Sequence, residues 1–417
     1  MGLSAAVGVR ESSSSSVRRY FEMAADRLGI HPEMRRLLSA PFRELTVEIP
    51  LRRDDERLQL FRGYRVQHNG VRGPLLGPVG IQSGLDLDSV RSAAESMTWR
   101  CAAANIPFGG AAGAIVCDST QLSRREFESL VRKYTARIHH LLGVYQDLCA
   151  PGLNADEEVM MWMRDEYSSL QKGTAPAVLG KPEEAGGVRD HAVIIGRSLA
   201  ALAIHCAEQV GLPASGLRVA IRSLDQSALH TALPMFEAGC VIVAIADARG
   251  GLRCSTGIDI HELSNHVSSA RTFAGYERAA EAAEIHGLDC DVLIIGGPES
   301  MVNPAAASRI RAKLVLETSE LVITPTAERI LANHGATVVP DLVSAAGPVI
   351  AAYAEWSNNA QHAACDAEHV EHEVQTSMMR TYTQVLDRSR RENVSLRMAA
   401  YCSAIERVAR CERLRVA

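Results

Sequence analysis

Apolar residues recur along this chain in two rhythms, and the change between them falls near residue 185. Before it, TVEIP at 46–50, RLQLFRGYRV at 57–66 and IVCD at 115–118 alternate or cluster their apolar positions as strands do. Residues 86–104 instead have helical spacing, with Asp86 or Asp88 available as N-cap. Residues 122–143 open a second helix on the capping pattern Ser123-x-x-Glu126, and a third is expected over about 156–169. This half predicts a mixed sheet with flanking helices.

Beyond residue 185 the apolar runs are short and nearly continuous: LRVAIRS (217–223), VIVAIAD (241–247), VLIIGG (292–297), AKLVLET (312–318) and TVVP (337–340). Helical segments at 190–210, 226–238 and 325–333 lie between them. Strands buried on both faces and alternating with helices predict an α/β domain with a parallel, doubly wound sheet. Residues 347–417 read as helices with charged turns that fold back on the first domain. The expected plan is a disordered leader at 1–18, a first domain at 19–185, a second at 186–346, and the C-terminal helices.

Composition narrows the classes. At 417 residues the chain is too long for one ordinary core. A net charge of −5 leaves no basic excess to neutralise phosphates, which excludes a general nucleic-acid binder. No apolar run is long enough to span a bilayer. The N-terminal stretch, with its serine run at 12–16, lacks the apolar core of a secretory signal. The ten cysteines form no C-x-x-C pair and no zinc-like spacing with histidine, so no metal site is expected and the cytoplasm is the expected compartment.

One segment is specific. GYRVQHNGVRGP at 63–74, followed in order by MTWRCAAANIPFGG (97–110), the stretch from Cys149 to Ser168, GKPEEAGG (180–187), and VVPDLVSAAG with AYAEW (338–356), resembles the glutamate/leucine/phenylalanine/valine dehydrogenases. The resemblance implies an N-terminal substrate and oligomerisation domain, a C-terminal Rossmann-like domain, a cleft between them and hexameric assembly. It also implies NAD(P)-dependent oxidative deamination, which needs a cation for the α-carboxylate, a lysine to activate water, an aspartate to move protons, and a glycine turn for the pyrophosphate.

Those positions are the ones that differ. Where the family has a substrate-binding lysine after RGP, this chain has Leu76, and a carboxylate docked there loses a charge-assisted bond worth about 1.5–3 kcal/mol. The lysine of M-T-W-K is Arg100, whose planar fork is a different donor. The catalytic lysine aligns with Ala112 and the catalytic aspartate with Gly152; neither residue has a proton to give. The three glycines of the dinucleotide turn are Ser223, Asp225 and Ala228, and only Asp247 survives where a ribose-binding acid sits. The asparagine on the nicotinamide side is Glu320, and the serine before Tyr-x-Glu-Trp is Ala352.

From these losses no cofactor is expected. The leading reading is a catalytically deficient subunit that co-assembles with an active glutamate dehydrogenase paralogue, with a small amino acid as effector. Two alternatives stand beside it: a weak or altered amino-acid dehydrogenase that uses Arg100, and a stand-alone homo-oligomeric scaffold. His68 is expected to be structural, and the Met160–Met163 stripe is expected to be core packing.

Overall fold

The structure, a computed structural model, describes residues 13–171, 177–223, 227–247, 250–270, 273, 276, 287–297 and 301–416. Helix α1 (Ser13–Arg27) takes up residues 13–18 of the expected leader, because Val17, Tyr20 and Phe21 bury one of its faces. Helix α2 (Pro32–Ser39) follows. The first sheet contains β1 (Arg43–Arg52), β2 (Leu58–Asn69), β3 (Leu75–Ile81), β4 (Gly109–Val116) and β5 (Asp147–Pro151), in the order β1-β2-β4-β3-β5. Helices α3 (Leu87–Ala103), α4 (Arg124–Ile138) and α5 (Glu157–Gln171) lie among these strands in the chain.

β1, β2 and β4 pair antiparallel, whereas β3 pairs parallel with both β4 and β5, so the sheet is mixed as expected. Asp86 caps α3, and Ser123 with Glu126 forms the reciprocal capping box of α4. β3 and β5 have no counterpart among the expected strands. LLGPVGI and DLCAP carry glycine and proline and do not alternate, because β3 lies between two parallel neighbours and buries both faces.

After α6 (His191–Gln209) come β6 (Arg218–Arg222), α7 (Ala228–Glu237), β7 (Val241–Ala246), β8 (Gly251–Arg253), α8 (Ile260–Ala270) and β9 (Val292–Ile295). Then follow α9 (Pro304–Ala307), β10 (Leu314–Glu317), α10 (Pro325–Asn333), β11 (Thr337–Val339) and α11 (Asp341–Ser344). The strand order is β11-β10-β9-β6-β7-β8; every neighbouring pair is parallel except the short antiparallel edge β7–β8. This is the doubly wound sheet of the expectation. The chain ends in α12 (Gly347–Ala360), α13 (Ala367–Glu392) and α14 (Leu396–Val416). α14 packs on α3 and α1, and α13 packs on α6, so the terminal helices touch both halves.

The shared motifs hold this frame together. Arg65 of the GYRVQHN segment is fully buried, forks onto Asp147 and donates to the carbonyl of Leu148, tying β2 to β5 across the sheet. Lys181 of GKPEEAGG pairs with Glu355 of AYAEW at 2.6 Å, and Gly180 N–H donates to the same carboxylate at 2.9 Å. His68 is buried with Nδ1 2.9 Å from Thr98 Oγ1, and burial pushes its imidazole down to about 3. Met160 and Met163 are fully buried in the first-domain core.

One titration is visible in the frame. Burial pushes the Glu95 carboxyl on α3 up to about 7, against the opposing bond from Trp99 Nε1. Between its ordinary value of 4.5 and about 7 the folded chain keeps a proton that the unfolded chain has lost, so this group's contribution to stability falls as pH rises through that window. Glu95→Gln is therefore expected to be more stable than the parent at pH 8, and denaturation series should show the difference closing toward pH 4.5. An advantage that stays constant with pH would refute the assignment.

Candidate functional site

Sheet register gathers the altered positions. Leu76 of β3 pairs with Gly110 of β4, and Ala112 lies two residues further along, so all three share one face. That face lies under α3: a Cβ added to Gly110 would meet Thr98 N at 2.2 Å. α3 also carries Arg100. Gly152 follows β5 beside β3, where a Cβ would come within 2.5 Å of Val79 O. The sheet thus places Leu76, Gly110 and Ala112 on one face, with Gly152 just past the end of the strand next to β3.

What they form is a packed surface. Leu76 is 1% exposed and belongs to the main core, and Ala112 is 2% exposed against Tyr64, Val66, Val90 and Ala94. No side chain at positions 76, 112 or 152 can accept or donate a proton. Arg100 keeps a charge, but its Nη2 donates to Asp341 Oδ2 at 3.0 Å, from α3 across to α11. Burial opposes that charge, yet Asp341 and Glu320 hold the guanidinium above its usual value. Glu320 itself accepts a long bond from Ser92 of α3 at 3.4 Å. Two carboxylates of the second half, Asp341 and Glu320, therefore face α3.

Asp341 is part of a larger buried network that the sequence reading missed. Arg397 of α14 is fully buried and bonds Glu317, Glu328 (2.6 Å) and Asp341 (3.3 Å), while Tyr20 Oη donates to Glu328 at 2.6 Å. Burial pushes the Glu317 carboxyl up to about 7 although Arg397 opposes it. An arginine and its acids separated by 56 to 80 residues leave no local periodicity. Charged residues at otherwise apolar helix positions were the only available sign.

At the carboxyl ends of β6, β9 and β10 lies a cavity of about 300 Å³ lined by Arg222, Ser223, Ser227, Thr318, Ser319 and Ile294, among others. The strand order reverses between β9 and β6, the usual ligand position in such sheets. Ser223 and Ala228 stand where the sequence places the lost glycines; Asp225 lies outside the described residues. Asp247 is buried at the end of β7, where its Oδ1 accepts from Gly250 N–H at 3.0 Å.

The chain belongs to the glutamate/leucine/phenylalanine/valine dehydrogenase family. Residues 186–415 match the model for Glutamate/Leucine/Phenylalanine/Valine dehydrogenase, and residues 41–169 match that for the Glu/Leu/Phe/Val dehydrogenase dimerisation domain. The chain is 34% identical over 393 residues to the glutamate dehydrogenase of Thermotoga maritima, covering 93% of this chain and 94% of that protein. It superposes on a subunit of the hetero-hexameric glutamate dehydrogenase of Thermus thermophilus, solved in a Leu-bound form, with a TM-score of 0.91, 33% identity and 99% coverage of each chain. For the Peptoniphilus asaccharolyticus enzyme the TM-score is 0.83 at 26% identity, covering 97% of this chain and 99% of that one.

Membership corrects one expectation. The family is one of NAD(P)-dependent dehydrogenases, so the reading that no cofactor is taken, made from the lost glycines, is overturned. Glycine loss removes one way of approaching a phosphate, not the only one. The cavity presents Arg222, whose Nε is buried without a hydrogen-bond partner among the described residues, beside five hydroxyl side chains. That donor set fits the phosphate part of a dinucleotide, which when bound supplies the family's hydride chemistry.

No helix among the described residues is long and apolar enough to cross a membrane.

Proposed function

We propose that this chain is a catalytically deficient member of the family that serves as a regulatory or structural subunit of an amino-acid dehydrogenase complex. One observation carries the reading: the face under α3 keeps its framework but has apolar or absent side chains at Leu76, Ala112 and Gly152, while Arg100 is engaged by Asp341. Loss of general acid–base help alone typically costs about 10²–10⁴-fold in rate. The engagement of Arg100 also counts against the alternative in which that residue takes over the chemistry. The partner is an active glutamate dehydrogenase subunit in the same ring, a reading supported by the hetero-hexameric assembly of the Thermus thermophilus relative. A small apolar amino acid is the proposed effector, supported by the Leu-bound form of that relative.

The purified chain is expected to form no NAD(P)H from glutamate above background. Co-expressed with an active paralogue from the same cell, it should run as one hetero-oligomer by light scattering and change that enzyme's kinetics. Turnover by the chain alone, or separate migration with unchanged kinetics, would overturn the proposal.

A further inference from the structure

A cavity of about 440 Å³ opens in the first domain, where the last turn of α14 meets the end of β2 and the start of β3. Its size is that of a small-molecule site. Leu75 lines it, and Leu75 and Leu76 point to opposite faces of β3, so it is separate from the packed surface under α3. It is also remote in the fold from the second sheet, since none of its lining residues belongs to that domain.

Two opposite charges one helical turn apart line this cavity. Glu412 is 1% exposed, and its Oε1 accepts from Asn69 Nδ2 at 2.8 Å, which ties α14 to the end of β2. Its Oε2 lies 2.8 Å from Arg415 Nη2 but accepts no aligned hydrogen bond among the described residues. One carboxylate oxygen thus serves the fold, and the other is held only by charge. A buried carboxylate is costly until donors match it. Arg415 is 54% exposed and can present its guanidinium outward. The remaining walls are apolar: Leu75 and Leu141 are buried, and Leu37, Phe42 and Tyr145 are exposed. Exposed apolar side chains gathered around a concavity are the mark of a binding surface.

We propose that this cavity binds an α-amino acid with an apolar side chain: Glu412 Oε2 takes the ammonium, Arg415 takes the carboxylate, and the leucine walls take the side chain. Each ligand charge meets its opposite in a charge-assisted hydrogen bond better aligned than the one the pair makes with itself. The same pair sets the specificity. A carboxylic acid without an ammonium brings like charge toward the buried Glu412, and an amine without a carboxylate leaves Arg415 unmatched. The inference rests on the effector part of the function proposed above and gives that effector a place on α14, the helix that also carries Arg397.

The test is calorimetry on the full-length chain with L-leucine, isoamylamine and isocaproate, repeated on Glu412→Gln and Arg415→Ala. Leucine should bind the parent, and Glu412→Gln should weaken it by about tenfold or more. Arg415→Ala should weaken it by a smaller factor, because that residue is half in solvent. Isoamylamine should bind more weakly than leucine and be insensitive to Arg415→Ala, and isocaproate should give no heat. Leucine affinity unchanged in both variants overturns the site while leaving the effector reading standing. Absence of heat with leucine overturns both, and isocaproate binding as tightly as leucine overturns the role given to Glu412. Glutamine keeps an oxygen for Asn69, so Glu412→Gln should unfold with the parent by circular dichroism. If it unfolds earlier, the exposed Arg415→Ala decides the matter alone: unchanged leucine affinity there overturns the proposal.

Discussion

Arg397→Leu is expected to lower the unfolding free energy by roughly 3–5 kcal/mol, the largest single effect anticipated in this protein. Arg397 is fully buried and is the shared counter-charge of Glu317, Glu328 and Asp341. Leucine fills much of the space but leaves those carboxylates facing one another without it. The cost comes from the stranded acids rather than from the lost bonds themselves. Replacing Glu317 by Gln in the same chain should recover part of the loss, because one buried charge is then removed. Arg397→Lys keeps a charge but cannot fork to three acids, and should fall between the two. Urea denaturation of the three variants measures this, and a loss under about 1 kcal/mol in Arg397→Leu would show that the network contributes little.

The network has a functional consequence. It joins α1 through Tyr20, α3 through Arg100, the second sheet through Glu317, and α14 through Arg397. The two halves are therefore connected across α3 by charged side chains of the chain itself. Asp341 and Glu320 are built into the chain and are present in every molecule, so the surface under α3 is organised without a ligand.

Returning the two lost groups is the second large effect, and it is expected to fail as a repair. Ala112→Lys places an ammonium against Tyr64, Val66, Val90 and Ala94 on a surface 2% exposed. Burial there disfavours the charged form and should cost roughly 2–4 kcal/mol in stability. Gly152→Asp meets Val79 O at 2.5 Å and Val79 C at 2.7 Å, so the backbone must move away from β3. That segment is pinned: Ile81 N–H donates to Leu153 O at 2.8 Å, and Asn154 Nδ2 donates to Ile81 O at 2.9 Å. The double variant is expected to give no glutamate-dependent NAD(P)H formation and to unfold more readily than the parent. Measurable turnover, or parent-like stability of Ala112→Lys, would mean that the site is open rather than packed.

Much of this was legible in the chain itself. The caps at Asp86 and Ser123, the continuous apolar strands of the second sheet and the buried Met160–Met163 stripe are local features, encoded within a few residues of where they act. β3 was not, since a strand buried on both faces and punctuated by Gly77 and Pro78 has neither alternation nor helical period, and the five-residue edge strand β5 is too short to show one. The cavity at the ends of β6, β9 and β10 was not legible for a different reason. The sequence recorded the loss of glycines, but whether Arg222 had a partner depends on residues from β9 and the segment after β10, brought beside it only by the sheet.

By itself, then, the sequence determined the family and the residue types at the altered positions, because alanine at 112 and glycine at 152 lack proton-transfer groups in any conformation. Only the tertiary structure decided what surrounds those positions: Arg100 engaged by Asp341, Arg397 satisfied by three distant acids, and Arg222 with an Nε that has no partner among the described residues. The physical reason is range. Side-chain identity is fixed residue by residue, whereas charge partnership and burial are properties of neighbours that the chain brings together from far apart.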